Sequence, residues 1–214
     1  MQTKIILGVA LLGGCSHAVS SYPDASNPKP PISENKSVGC PDFTGTYSGV
    51  GTIIQGDQTA MQFGNREYFD KVFPISDMKG WRETQSKYRK YNDGKFKGLF
   101  VDPDFATITR VEDGSVRISI GYKESLVGTF QSDYKNQPNL TCSDGKMTWG
   151  GSANIAGSSE WGSNASDFSF VIYKDSDGNL IHERRQTVRS KVLFGLPGGT
   201  ANYYSVFKFN KKND

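Results

Sequence analysis

The sequence predicts an all-β fold, a single meandering antiparallel β-barrel or a β-sandwich, with the barrel preferred. Three observations carry this. Val116, Ile118, Ile120 and Tyr122 alternate with Arg117, Ser119 and Gly121, the period-2 pattern of a strand with one buried face. Asp- and Gly-containing turns punctuate the chain at short intervals, as at Glu112-Asp113-Gly114 and Asp175-Ser176-Asp177-Gly178-Asn179. The chain also carries 24 Gly with 13 Phe, 10 Tyr and 3 Trp, a composition suited to curved sheets with close backbone approach.

The elements follow in order. Phe43 to Ile54 reads as a first strand. Phe105 to Val111 and Val116 to Tyr122 form the best-marked hairpin, and Ser125 to Gln131 adds a further strand. Lys146 to Trp149 is a short strand. Phe168 to Lys174 pairs with Leu180 to Val188 around the Asp175 turn, and Lys191 to Phe194 and Tyr203 to Phe209 complete the set. Met61 to Phe100 is the least patterned region. Trp81, Gln85, Tyr88 and Tyr91 fall near one helical face, but Thr and Tyr favour a strand over Glu83 to Tyr91, turned by Asn92-Asp93-Gly94. Between Gly150 and Ser166 the residues are small and polar apart from Ile155 and Trp161, which predicts a long loop.

Upstream of the domain, Lys4 precedes an apolar run from Ile5 to Leu12, and Leu12-Gly13-Gly14-Cys15 closes it. The run is shorter than the roughly 20 apolar residues that span a bilayer, and its charged start and small-residue end mark a cleavable signal. This segment resembles a bacterial lipoprotein signal peptide, whose lipobox places Leu three residues before an acylated Cys. The resemblance implies a signal peptide over 1–14, lipidation (palmitate among the acyl chains) of Cys15 and an anchor in membrane lipid, since several acyl chains hold a protein where one is marginal. Ser16, rather than Asp, follows the lipidated cysteine, which by the same resemblance favours the cell outer membrane, with the domain in the periplasm or at the surface.

Residues 15–39 hold Pro23, Pro28, Pro30 and Pro31 among Ser, Asn and Lys, with too little apolar content to offset ordering entropy. They read as a disordered tether with a mean reach of roughly 25–30 Å. The domain proper is 40–214, enough for a sizeable core. With Cys15 lipidated, Cys40 and Cys142 remain as a pair in an oxidising compartment and predict one disulfide; neither has a companion at metal-ligand spacing. Asp42-Phe43-Thr44-Gly45-Thr46-Tyr47 resembles the first strand of lipocalin-type barrels, with Tyr47 standing where that family carries Trp, and the likeness implies architecture only.

Function is less legible. Of 25 Lys and Arg, only Lys4 lies in the signal, so the mature chain stays near balance against 22 Asp and Glu. Such a charge argues against a nucleic-acid partner. His17 and His182 are the only histidines, and no nucleophile elbow, phosphate loop, zinc motif or redox pair is present, so neither cofactor nor metal is called for and a non-enzymatic role is expected. His182 reads as a satisfied strand residue followed by Glu183 and Arg184. The Asp175 segment resembles the front of a calcium loop, but Gln186 stands where the closing Glu belongs, and a hairpin turn explains it better. Paired-carboxylate chemistry leaves no fixed spacing, and Glu67, Glu83, Glu112, Glu124, Glu160 and Glu183 are its candidates in a glycan hydrolase, the alternative reading. Lys87-Tyr88-Arg89-Lys90-Tyr91 interleaves charge with aromatics, more simply a charged exterior over a buried face than an anion-binding surface. The aromatic ligand-binding candidates are Trp81, Tyr88, Trp149 and Trp161, for a small apolar or glycan ligand, with an envelope protein as the other partner class and a structural or inhibitory interaction module as a third reading.

Cys15→Ser is expected to leave the precursor uncleaved and without acyl mass, read by intact-mass spectrometry of the membrane fraction; normal maturation of the variant would overturn the lipobox assignment.

Overall fold

Extended backbone organises the described residues into eleven strands. The structure, a computed structural model, describes residues 40–56, 66–74, 79–83, 102–111, 116–122, 126–132, 139–155, 163–191 and 197–212. The strands are β1 (Gly45–Ser48), β2 (Val50–Gly56), β3 (Arg66–Tyr68), β4 (Phe105–Arg110), β5 (Val116–Tyr122), β6 (Leu126–Gln131), β7 (Thr141–Ser143), β8 (Lys146–Ile155), β9 (Ser163–Lys174), β10 (Leu180–Lys191) and β11 (Pro197–Phe209). A 3-10 turn, Phe69–Lys71, follows β3 directly. All pairings are antiparallel and fall into a four-stranded sheet, β1-β4-β5-β6, and a seven-stranded sheet, β3-β2-β11-β10-β9-β8-β7.

The all-β expectation holds, and the preferred barrel is corrected to two sheets that do not close. Only one edge is continuous. The predicted first strand is β1 and β2 in succession, bent at Gly49. Beyond β11 the ladder passes onto β1, with Ser48 N donating to Asn210 O at 2.8 Å and Lys212 N to Thr46 O at 2.8 Å. The chain from Gly45 to Gly56 is thus one bent strand shared between the sheets. At the far side β6 and β7 each pair with one neighbour among the described residues, and no described strand joins the two sheets there. Gly49 is required at the bend, because a methyl group on it would sit 2.3 Å from the Pro103 carbonyl oxygen.

Between the sheets lies one apolar core. Ile108, Ile118 and Ile120 come from the four-stranded sheet, Ile172, Leu180, Phe207 and Phe209 from the other, and Tyr47, Phe69, Val72 and Phe73 fill the corner. Each large apolar side chain buried there contributes about 1.5–3 kcal/mol. Tyr47, at the position of likeness to lipocalin barrels, is fully buried; its hydroxyl donates to Phe43 O at 2.9 Å and its ring stacks on Phe69. The outer face of the seven-stranded sheet has its own cluster of Tyr173, Ile181, Tyr204 and Val206. Leu180, Ile181, His182 and Glu183 are consequently all buried, the signature of a strand covered on both faces.

The predicted hairpins β4–β5 and β9–β10 are present. Asp175 secures the second one: its carboxylate accepts from Asp177 N at 3.0 Å, Asn179 N at 2.8 Å and Asn179 Nδ2 at 2.9 Å. Those donors make it a turn, as read from sequence, and Gly178 takes the left-handed conformation with φ +80°. The long loop expected from Gly150 to Ser166 is corrected: β8 runs to Ile155 and β9 starts at Ser163. Small polar residues stay extended there because neighbouring strands supply their backbone hydrogen bonds and side-chain ladders, as in Ser152 Oγ donating to Asp167 at 2.6 Å. Residues 79–83 form a helical turn, so Glu83 is helical rather than extended. In the strand expected at Lys191 to Phe194, Lys191 ends β10 and the remainder lies outside the described residues, as do the signal, the tether and the Glu112-Asp113-Gly114 turn. No described helix is long and apolar enough to cross a membrane.

Cys40 and Cys142 are disulfide-bonded, with Cα atoms 4.7 Å apart and a separation of 102 positions in sequence, pinning the segment before β1 to β7 at the sheet edge. A loop of that length corresponds to about 4–5 kcal/mol on the chain-entropy account. The double variant Cys40→Ser/Cys142→Ser is expected to melt about 10 °C or more below the parent in calorimetry; an unchanged Tm would show that the bridge constrains nothing.

Candidate functional site

The inner face of the seven-stranded sheet can be read row by row from its register. One row is Met147, Ile172, His182, Phe207 and Ile53, ordinary core apart from the histidine. The next is Trp149, Phe170, Arg184, Ser205 and Gly56, aromatic at one end and small at the other. A third brings together Gly151, Phe168, Gln186 and Tyr203. The rows pass from full burial to half exposure as β8 to β11 run outward from the core.

Glu67 enters this face from β3, opposite Gly51. A side chain at 51 would meet the Phe209 ring at 2.7 Å, so glycine there lets that ring pack against the strand. Glu67 Oε2 lies 2.6 Å from His182 Nδ1, although β2 and β11 stand between their strands, so the sheet is curled enough for side chains to meet across its hollow. Both residues are buried, at 5% and 0% exposure. Where Glu67 is the ionised acceptor and His182 is neutral, the proton sits on Nδ1 and Nε2 presents a lone pair. Arg184 Nη1 is 4.0 Å from Glu67 Oε1, with its side chain 37% exposed.

Aromatic rings lead from the rim to this pair. Phe168 and Phe170 have centroids 5.5 Å apart, Phe170 stacks on Trp149 at 5.4 Å and on His182 at 5.6 Å. Two buried polar atoms on the same face have no hydrogen-bond partner among the described residues: His182 Nε2 and Ser205 Oγ. Buried polar atoms are nearly always satisfied in folded proteins, by protein or by water, so each of these calls for a partner.

The sequence candidates divide accordingly. Trp149 is buried in the aromatic run beside His182. Trp81 is buried elsewhere, its ring tilted against that of Phe130 with centroids 4.6 Å apart and Nε1 donating to Asp70 Oδ2 at 3.3 Å. Burial pushes the Asp70 carboxyl above the ordinary aspartate value, against the pull of that bond and of Lys71. Tyr88, Trp161, the basic-aromatic run at Lys87 to Tyr91, and Glu112, Glu124 and Glu160 lie outside the described residues. Of the carboxylates, Glu83 is exposed on the helical turn, and Glu183 points to the opposite face from Glu67, near Tyr204 and Arg185. Among the described residues no group of three or more His, Cys, Asp and Glu could hold a metal ion. Sequence reasoning assigned no site role to Phe168, Phe170, Arg184 or Ser205; the alternation of β9, Phe168-Ser-Phe170-Val-Ile172, was the available sign that two aromatics share a face. No family model, curated protein or solved structure matches this chain.

Glu67→Leu is expected to lower the unfolding free energy by about 1–3 kcal/mol, since it strands the buried Nδ1–H of His182. The double variant Glu67→Leu/His182→Leu should regain part of that loss, because it removes both partners together. Urea unfolding of the single and double variants measures the difference, and strictly additive losses would show that the pair is not coupled.

Proposed function

We propose that this chain is a lipid-anchored, non-enzymatic protein of the bacterial cell envelope, whose β domain binds a small glycan or apolar ligand near the membrane surface. The observation that carries the address is Leu12-Gly13-Gly14-Cys15 after a short apolar run, and the Cys40–Cys142 bridge is the companion expected of an oxidising compartment. The binding role is supported by the aromatic run from Phe168 to Trp149, which starts half-exposed and ends beside unsatisfied polar atoms. A mostly apolar wall with a few convergent polar groups is the usual make-up of a small-molecule site.

Membrane lipid, through the acyl chains on Cys15, is the first partner in this reading, and the outer membrane is the favoured location because Ser16 follows the lipidated cysteine. Two-carboxylate hydrolysis receives no support from the described acids, since Glu67 and Glu183 face opposite sides of the sheet and Glu67 is engaged by His182.

Native mass spectrometry of the full-length lipoprotein, extracted from membranes and compared with its denatured mass, tests the reading. A non-covalent adduct beyond the acyl chains, lost on denaturation, is expected. A bare protein mass at every extraction condition would count against a ligand-binding role and favour an interaction module.

A further inference from the structure

The inner face offers more than a generic pocket wall, because the unsatisfied atoms and the small residues coincide. Arg184 stands directly opposite Ser205 on the neighbouring strand, and Ser205 stands opposite Gly56. The Glu67 carboxylate reaches β10 beside His182, and Arg184, two residues further along the same face of that strand, comes within 4.0 Å of it. Arg184 is a partly exposed side chain in the same row as Ser205 and Gly56. His182 Nε2 is one row further in, on the same face and without a partner among the described residues.

We infer that this place is a subsite for a neutral sugar ring, which lies against Phe168 and Phe170 and sends a hydroxyl to His182 Nε2 and Ser205 Oγ as Arg184 swings outward. The inference rests on the reading of the domain as a ligand-binding module and names the ligand class. Four features select that class. Flat aromatic faces suit the apolar C–H face of a pyranose ring. With its proton on Nδ1, His182 accepts at Nε2, while Ser205 Oγ both donates and accepts, a match for hydroxyl groups rather than for an anion or a purely apolar guest. The charges facing the site compensate one another, Arg184 with Glu67, so no net charge calls for an ionic ligand. Arg66, at the edge on β3, is likewise engaged, by Asp102 at 2.7 Å. Once displaced, the Arg184 fork and the Glu67 carboxylate present donors and acceptors to further hydroxyls. No bond is made or broken in this event. Closure is a side-chain rotation at the rim.

The chain has two histidines, His17 and His182, so selective ring-nitrogen labelling gives a spectrum with His182 identified by comparison with His17→Gln. Full-length lipoprotein in a sugar-free detergent is titrated in turn with maltohexaose, cellohexaose and chitohexaose, neutral saccharides of differing linkage. Expected is a saturable shift of the His182 Nε2 signal with at least one of them, and a Kd weakened at least tenfold in Phe168→Ala and in Arg184→Gln. If none of the three moves His182, the subsite assignment is overturned. It is also overturned if a saccharide binds with the parent affinity in both variants, in which case the module reading survives with its site elsewhere. The module reading fails separately, on absence of any adduct in the native mass measurement.

Discussion

The shared bent strand from Gly45 to Gly56 is the constraint on which the architecture depends. Its outer half belongs to one sheet and its inner half to the other, and the ladder along β11 continues past Phe209 to Lys212 so that both halves are paired on the same side. The bend needs a residue without a side chain, because the backbone at Gly49 packs on Pro103, and Gly49 O accepts from Phe69 N at 3.0 Å. That single corner turns the two sheets towards each other. Everything buried between them, from Ile118 on one side to Phe207 on the other, follows from it.

Curling of the seven-stranded sheet is the second consequence, and it creates the candidate site. A flat sheet would keep Glu67 and His182 three strand spacings apart, roughly 14 Å. Their 2.6 Å contact is a brace across the hollow of a curled one. Placing charge there has a cost in desolvation, which a short charge-assisted bond and the nearby guanidinium of Arg184 offset. The same strand carries Glu183 to the opposite face, where Tyr204 and Arg185 approach it and where burial and the Glu183 charge push the Tyr173 hydroxyl well above the ordinary tyrosine range. Strand β10 is thus polar near its start on both sides, an arrangement that specifies register, since a slip by one residue would exchange His182 with Glu183.

Several features were legible in the chain because they are local. Alternation over Val116 to Tyr122 and the Asp175 turn depend on neighbours a few residues away, and the structure keeps both. The disulfide was legible by elimination, once export had been read from the first residues. Other expectations failed for lack of a local signal. Gly150 to Ile155 has loop composition yet runs extended, because β9 completes its hydrogen bonds and Phe168 covers Gly151. The setting of Trp81 likewise had no local signal: it is buried against Phe130, with its indole donating to Asp70. Glu67 was one acid among six in the sequence, and nothing near it foretold His182.

By itself the sequence determined the all-β class, the Asp175 turn and the cysteine pairing, because periodicity, turn chemistry and cysteine count can be read without the fold, and it supplied an envelope address as an expectation. Only the tertiary structure decided that the sheets stay open on one side, which aromatics are core and which form the run to the rim, and that Glu67, His182, Arg184 and Ser205 share one hollow. Those outcomes depend on sheet curvature and on pairing between strands more than a hundred residues apart, and no residue carries that information alone.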